Sequence, residues 1–111
     1  MGAKQFITFA EGPTAAEAFA AAREEAAYKY GHRGGTGTIA EKDSFTTLKI
    51  PALASAGEAM ARIWAEAVLS GNPASDEDMR RAAETVDDKW GPAGHVALGG
   101  TRHLFFGWAS S

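Results

Sequence analysis

The chain has 111 residues, of which 45% are hydrophobic and 23% are charged, as expected for one ordinary globular domain and not for a disordered or fibrous protein. Its formal net charge is -3, and it lacks the basic stripe that binding to duplex nucleic acid usually needs. It contains no cysteine, which excludes disulfides, thiolate metal sites and cysteine nucleophiles.

Neither an apolar leader nor a membrane span is expected from the sequence. Met1 to Phe6 contain no apolar stretch ahead of a cleavage site, and no apolar run approaches the roughly 20 residues that cross a bilayer. We therefore expect a single domain, residues 1–111, that is cytoplasmic and does not associate with a membrane.

The first predicted elements are a strand and a helix. The strand runs from Lys4 to Ala10 and contains aromatic and β-branched residues. Thr14 followed by Glu17 has the spacing of a capping box, in which a hydroxyl accepts a backbone N–H and the acid reaches back. The helix that begins there is alanine-rich and ends at Gly31, because glycine adopts the left-handed conformation at a helix end without steric cost. One stripe of this helix contains Phe19, Ala22, Ala26 and Tyr30.

The glycine-rich segment, residues 31–42, joins this helix to the second strand. Its glycines let the backbone approach a ligand and point N–H groups into one concavity, and its hydroxyl and cationic side chains suit an anion. It is not a Walker loop, because no Gly-Lys-Ser/Thr opens a helix, nor a dinucleotide fingerprint, because no strand precedes it. A second interpretation is that the glycines only cap the helix and shape an exposed loop. The predicted ligand contacts are His32, Arg33, Gly34, Gly35, Thr36, Gly37, Thr38 and Lys42.

The second strand and the second helix follow. The strand runs from Ser44 to Ile50 and is closed by Pro51. Ser55 with Glu58 has capping-box spacing, and the helix that this pattern begins ends at Gly71. Its predicted buried face consists of Met60, Ile63, Trp64, Ala67 and Val68.

A third helix is predicted from Ser75, which stands three positions before Asp78, to Gly91, with Pro92 reinforcing the stop. Its predicted buried face consists of Met79, Ala83, Val86 and Trp90. Large aromatic residues at helical spacing normally supply buried area, so we expect Trp64 and Trp90 to be structural.

A hairpin is predicted at the end of the chain. Its strands are His95–Leu98 and His103–Trp108, and the turn between them contains Gly99 and Gly100, which tolerate positive backbone angles. The last strand is apolar on both faces, which fits a central strand or one covered by a partner subunit, so a homo-oligomer is expected.

These elements give the order β-α-β-α-α-β-β and an α+β fold. We expect the helices to pack on one face of a mostly antiparallel four-stranded sheet, whose strand order stays open.

Familiar catalytic and metal-binding motifs are missing. The histidines at 32, 95 and 103 do not have the spacing of a helical zinc pair, so no metal and no cofactor are expected. The Gly-x-Ser-x-Gly elbow of serine hydrolases is absent. An acid-base pair of His32 with Glu24, Glu25 or Glu41 is conceivable, although exposed helical carboxylates are usually only solvated.

Three stretches together carry a resemblance: residues 30–42, Lys89-Trp90-Gly91-Pro92-Ala93-Gly94, and Phe105-Phe106-Gly107-Trp108-Ala109-Ser110. They resemble a group of small, uncharacterised proteins encoded by bacteriophages, chiefly those of actinobacteria, although the position of Gly35 is often aromatic in that group. The resemblance implies no activity. It implies a setting in which small proteins without catalytic motifs bind a host protein or sequester a signalling molecule of host defence.

Three functions are therefore compared. The first is a non-catalytic phage accessory protein, with counter-defence as a candidate role, that binds a phosphate-bearing, nucleotide-like ligand through residues 31–42. The second is a protein-interaction module that inhibits a host protein through an apolar surface around Phe105, Phe106 and Trp108. The third is a small acid-base enzyme that uses His32.

Overall fold

A computed structural model describes residues 2–31, 34–71 and 76–111. Within these ranges the element order is that predicted, and the fold is α+β. The strands are β1 (Ala3–Glu11), β2 (Phe45–Thr47), β3 (Ala93–Ala97) and β4 (Arg102–Ser110), and the helices are α1 (Ala15–Tyr30), α2 (Glu58–Leu69) and α3 (Glu77–Thr85). Single 3₁₀ turns lie at Ile39–Glu41 and Pro51–Leu53. No helix in these ranges is long and apolar enough to cross a membrane.

The four strands form one mixed sheet in the order β1-β4-β3-β2. The β1–β4 and β3–β4 pairs are antiparallel, whereas β2 and β3 are parallel. The parallel pair arises because α2 and α3 lie between β2 and β3 and return the chain to the same end of the sheet. The sheet is therefore not purely antiparallel.

The helices cover both faces of the sheet, so the prediction that they pack on one face is wrong. On one face, Phe105 packs with α1 residues such as Phe19 and Ala22. On the other, Phe106 packs with α2 residues such as Ala65 and Val68. The physical reason is that β4 lies in the sheet interior with apolar side chains on both sides, and each side needs an apolar layer.

The start and end of α1 are confirmed. The backbone N–H of Glu17 donates to Thr14 Oγ1 at 3.1 Å, as in a capping box. At the other end Gly31 has φ 101°, and its N–H donates to the carbonyl of Ala27. A residue with a Cβ would be strained at that angle.

The predicted limits of the other two helices are partly wrong. Gly57, not Ser55, precedes α2, and no side chain caps this helix. Asp76 caps α3 by accepting the N–H of Met79 at 3.0 Å, whereas Ser75 lies outside the described residues. The third helix ends at Thr85, six residues before the predicted glycine at 91.

The buried face of α2 also differs from the prediction. Met60 and Ile63 are exposed, and the buried residues are Ala61, Ala65, Val68 and Leu69. Trp64 is structural as predicted, since its ring meets Phe106 edge-on with centroids 5.5 Å apart. Trp90 lies beyond the end of α3 and is 71% exposed, so its assignment to the core is wrong.

The terminal hairpin is confirmed, with a turn in which Gly99 and Gly100 have φ of 99° and 59°. By contrast, only Phe45–Thr47 of the predicted second strand pairs with the sheet. Beyond Thr47, the N–H of Leu48 still donates to the carbonyl of His95 at 2.8 Å, and Leu48 and Ile50 are buried in the core with residues of α2 and α3.

Candidate functional site

The glycine-rich segment turns sharply between the end of α1 and the 3₁₀ turn at 39–41. Gly37 has φ 72° and packs against the aliphatic stem of Lys4, which would lie 2.8 Å from an added Cβ. Gly34 and Gly35 are exposed and also have positive φ. The predicted contacts His32 and Arg33 lie outside the described residues.

Glu41, near the end of this segment, accepts several of its hydrogen bonds. Its Oε2 accepts the backbone N–H of Thr36 at 3.0 Å and the hydroxyl of Thr36 at 2.7 Å. Ser110 Oγ donates to Oε1 at 3.5 Å, and the hydroxyl of Thr38 lies 2.8 Å from that of Thr36. The two threonine hydroxyls that were predicted to hold a ligand therefore already belong to a network around the chain's own carboxylate.

The pKa of Glu41 reflects this network. Burial by itself raises the pKa of the carboxyl, but hydrogen bonds from the hydroxyl and N–H of Thr36, the N–H of Gly35 and the hydroxyl of Ser110 outweigh burial and lower it. Glu41 is consequently ionised at neutral pH and has its acceptor sites largely filled.

Lys42 is also used inside the fold. It is 1% exposed, and its Nζ donates to the carbonyls of Asp88, Lys89 and Gly91 at 3.4, 3.1 and 2.9 Å. Burial lowers the pKa of Lys42, and the nearby Asp88 carboxylate opposes part of that effect. The ammonium fastens the loop before β3 to the segment before β2, so the structure gives this predicted ligand contact a structural role.

Arg23, on α1, provides a cation that the sequence analysis did not select. It lines a groove of about 490 Å³ between α1 and the glycine-rich segment, beside Gly31 and Gly34. Its Nε is buried without a hydrogen-bond acceptor among the described residues, and it forms no ion pair with any of them. The guanidinium carbon lies 5.8 Å from the centre of the Phe19 ring, within range of a cation–π contact.

The rest of the groove lining is of two kinds. One part of the lining is apolar and consists of small side chains, those of Ala20, Ala27 and Ala40. The other part consists of the carboxylates of Glu24, Glu41 and Asp43. Since Glu41 is held by its own segment, Glu24 and Asp43 are the acceptors that face the groove from each side. Among the described residues, the groove thus combines one cation, small apolar side chains and three carboxylates.

A second polar cluster crosses the opposite end of the same face of the sheet. Thr47 Oγ1 lies 2.8 Å from His95 Nδ1, His95 Nε2 lies 2.9 Å from His103 Nδ1, and His103 Nε2 lies 3.0 Å from the carbonyl of Gly12. A carbonyl oxygen only accepts, so His103 Nε2 donates to Gly12. When both rings are neutral, His103 Nδ1 must accept from His95 Nε2, and His95 Nδ1 must accept from the hydroxyl of Thr47.

This histidine pair is structural rather than catalytic. Both rings are buried, and burial together with the neighbouring His103 lowers the pKa of His95 to about 4. His103 borders a cleft of about 360 Å³ that Glu25 and Arg102 also line. Both ring nitrogens of His103 are engaged, so neither is left to exchange a proton with a molecule in that cleft.

Metal chemistry receives no support from this geometry. In residues 2–31, 34–71 and 76–111, no three His, Asp or Glu side chains gather in an arrangement that would hold a metal ion.

The alternative functions lose part of their basis. Phe105 and Phe106 are completely buried in the interior strand β4 and cannot contribute to the apolar C-terminal surface predicted to hold a host protein, whereas Trp108, the third residue of that prediction, is only partly buried. The central-strand explanation of that sequence is confirmed. The enzyme hypothesis depends on His32, which is outside the described residues, and it stays a prediction.

The missed residue, Arg23, carries a weak sequence signal. It stands four residues after Phe19 and four before Ala27, on the helix row that leads to Gly31. That row points along the helix to the glycine-rich segment. A charged side chain on a helix is nevertheless usually solvated, and only the packed structure reveals that its Nε is covered.

Comparison with known proteins gives no basis for assigning a function to this chain, so any assignment depends on the geometry described above. No family model, no curated protein and no solved structure matches the chain.

Proposed function

We propose that the chain is a non-catalytic binding protein that takes a small phosphate-bearing, nucleotide-like ligand in the Arg23 groove, between α1 and the glycine-rich segment. The observation that carries this proposal is Arg23 itself, a half-buried arginine that lines the groove and forms no ion pair with any described residue. Its Nε is covered, so a ligand phosphate would pair with the terminal nitrogens of the guanidinium and supply the anionic partner that the described residues do not.

The guanidinium is well suited to phosphate. Its planar set of donors matches two oxygens of one phosphate group, and such charge-assisted pairs are stronger than neutral hydrogen bonds. Gly31 and Gly34 line the same groove, and His32 and Arg33 stand between them in sequence. Ligand contacts by these two residues are part of the proposal.

The remaining lining supports a ligand that is more than an anion. Ala20 and Ala27 on α1 and Ala40 on the segment leave room for a planar ring to pack on their methyl groups. Glu24 and Asp43 are acceptors for ring N–H or sugar O–H donors. A nucleotide presents all three features, namely phosphate, ring and hydrogen-bond donors.

The hydrogen bonds to Glu41, which lower the pKa of its carboxyl, favour binding without catalysis. A general base works best with a pKa near the operating pH, whereas the hydrogen bonds on Glu41 lower its pKa. With its oxygens held by Thr36, Gly35 and Ser110, this carboxylate shapes the groove and is a poor proton acceptor. The resemblance to phage proteins suggests a setting for such binding, the sequestration of a nucleotide signal of host defence.

Calorimetric titration tests the proposal. The purified chain is titrated with purine and pyrimidine mononucleotides, cyclic nucleotides and inorganic phosphate at physiological salt. We expect at least one nucleotide to bind, and Arg23→Ala to weaken that binding by about tenfold or more, because a charge-assisted hydrogen bond contributes about 1.5–3 kcal/mol.

Arg80→Ala is the matched control, since it removes an exposed arginine of α3 that pairs with Glu77 far from the groove. It should leave the dissociation constant unchanged. The proposal is wrong if no nucleotide binds, or if a nucleotide binds equally well to the Arg23→Ala and wild-type chains.

A further inference from the structure

The sheet has two very different edges. The β2 edge is only three residues long, whereas β1 forms the other edge with nine residues, Ala3–Glu11. Natural proteins usually protect a long edge with a proline, a bulge or a charge in its middle. The central part of β1, Gln5–Ala10, contains no proline and no charge, and its register with β4 runs without interruption.

The register identifies the backbone groups at the free edge. The N–H of Gly2 donates to Ser111 and that of Gly12 to Thr101, so even-numbered β1 residues exchange hydrogen bonds with β4. The N–H and carbonyl groups of the odd-numbered residues therefore point away from the sheet. No hydrogen bond joins these outward groups to another described residue. They are Ala3, Gln5, Ile7, Phe9 and Glu11.

Space for another strand lies beside this edge. A groove of about 440 Å³ is lined by residues 5–9 of β1 and by α1 side chains, among them Lys29 and Tyr30. Tyr30 is 64% exposed although it is a large aromatic residue at the end of a helix. Ile7 and Phe9 are themselves only partly buried, so an added strand would cover apolar area as well as backbone.

We infer that this edge binds a second copy of the chain, with β1 pairing antiparallel to the partner's β1 about a two-fold axis at Ile7. This register places Gln5 opposite the partner's Phe9 and Ala3 opposite the partner's Glu11. Every outward residue then has a counterpart, and each pair exchanges two hydrogen bonds. Shifting the register by two residues leaves an outward residue at one end unpaired.

The side chains of β1 also favour a second copy of the chain as the binding partner. Ile7 meets the partner's Ile7, and Phe6 meets the partner's Thr8, both of which are favourable cross-strand pairs. The only charges of β1 are Lys4 near its start and Glu11 at its end. Antiparallel pairing brings the cationic end of one strand to the acidic end of the other, so like charges never face each other. The edge is thus complementary to itself.

Gln5→Pro tests this interface. The substitution removes an outward N–H without removing a hydrogen bond to β4, and edge strands tolerate proline at such positions. Sedimentation velocity of the wild type should show a concentration-dependent dimer, and Gln5→Pro should raise the dimer dissociation constant by about tenfold or more. The matched control is Gln5→Ala, which keeps the N–H but loses the bond from the Gln5 side chain to the carbonyl of Leu69. It should dimerise like the wild type.

Amide hydrogen exchange gives a readout that does not depend on a variant. Exchange at Ile7 and Phe9 should slow as the protein concentration rises, whereas exchange at Thr8, whose N–H lies in the β4 ladder, should not depend on concentration. A wild type that stays monomeric to millimolar concentration overturns the inference. A dimer that is equally stable in Gln5→Pro also overturns it, because it must then use another surface. This test is independent of nucleotide binding.

Discussion

Lys42 is nearly inaccessible to solvent, yet its ammonium has a partner for each of its three protons. The partners are backbone carbonyls of the loop from Asp88 to Gly91, which stand 46 to 49 residues further along the chain. Carbonyl oxygens carry only partial charge, so they solvate the ammonium without forming a salt bridge. The buried cation therefore holds two distant loops together.

Removing this ammonium should destabilise the fold. We expect Lys42→Met to lower the free energy of unfolding by about 2–4 kcal/mol, because it keeps the aliphatic stem but leaves the carbonyls without their donor. Urea denaturation measures the loss. Lys49→Met, at an exposed position, is the control and should change stability by less than about 0.5 kcal/mol. Equal stability of Lys42→Met and the wild type would contradict the structural role.

Arg23 is the reverse of Lys42, because the sequence analysis did not select it and the structure places it in the candidate groove. Its neighbours Glu24 and Glu25 are typical of a solvated helix surface, and only the weak signal of the helix row from Phe19 to Gly31 distinguishes the arginine from them. The difference appears only in the folded chain, in which the Nε is covered and Gly31 and Gly34 line the same groove as the arginine. Of the eight predicted contacts, Gly34 lines this groove, while Thr36, Thr38 and Lys42 serve the fold.

At the scale of elements, helix ends with a side-chain cap were the most predictable features. Thr14 and Gly31 act within a few residues of their own positions, so local sequence is sufficient to recognise them. Ser55 has the same spacing to a glutamate but lies beside a turn in which the N–H of Ala56 donates to the carbonyl of Leu53. This turn directs the chain into α2 through Gly57 instead.

The two serine/threonine positions give a paired test. Thr14→Ala should lower the free energy of unfolding by about 1 kcal/mol, because the N–H of Glu17 loses its acceptor. Ser55→Ala should change it by less than about 0.5 kcal/mol, since α2 has no side-chain cap to lose. Both values are accessible by urea denaturation. A larger loss for Ser55→Ala than for Thr14→Ala would contradict the assigned caps.

The face that an element buries was harder to predict than the element itself. Met60 and Ile63 have helical spacing, but α2 instead buries a stripe rich in alanine around Ala61 and Ala65. Small side chains let this helix approach the sheet closely enough for Trp64 to reach Phe106. The choice between two apolar stripes depends on the surface opposite, which lies elsewhere in the chain.

At the scale of the whole molecule, the histidine pair links all parts of the sheet. Thr47 belongs to β2, His95 to β3 and His103 to β4, and Gly12 follows β1. With both rings neutral, donation runs in one direction, from Thr47 to Gly12. Protonation of His95 would add a proton at Nδ1, turn the Thr47 hydroxyl from donor to acceptor and place a charge on a buried ring, which burial disfavours.

Stability should therefore fall on mild acidification. The pKa of His95 is lowered to about 4 in the folded chain, below the usual 6.5, so the unfolded chain binds more protons between these values. The contribution of His95 is complete above pH 6.5 and is lost as the pH falls towards 4. Between about pH 7.5 and about pH 5, we expect a loss of about 2 kcal/mol in the free energy of unfolding.

Urea denaturation at a series of pH values measures this loss, and His95→Gln is the comparison. The variant lacks the titrating ring, so its stability should depend less steeply on pH in this window, whatever its stability at neutral pH. Equal slopes for the variant and the wild type would show that other groups cause the effect.

The sequence by itself determined the type and order of the helices and strands, the capped start and glycine end of α1 and the terminal hairpin, and it gave a central position as one of two explanations of the apolar strand β4. These features depend on residues that are close together in the chain, or on one strand that is apolar on both sides. The tertiary structure decided that the helices cover both faces of the sheet, that Lys42 is a structural cation and that Arg23 faces a groove. Each of these outcomes depends on contacts between segments far apart in sequence, and local patterns of hydrophobicity and charge do not specify such contacts.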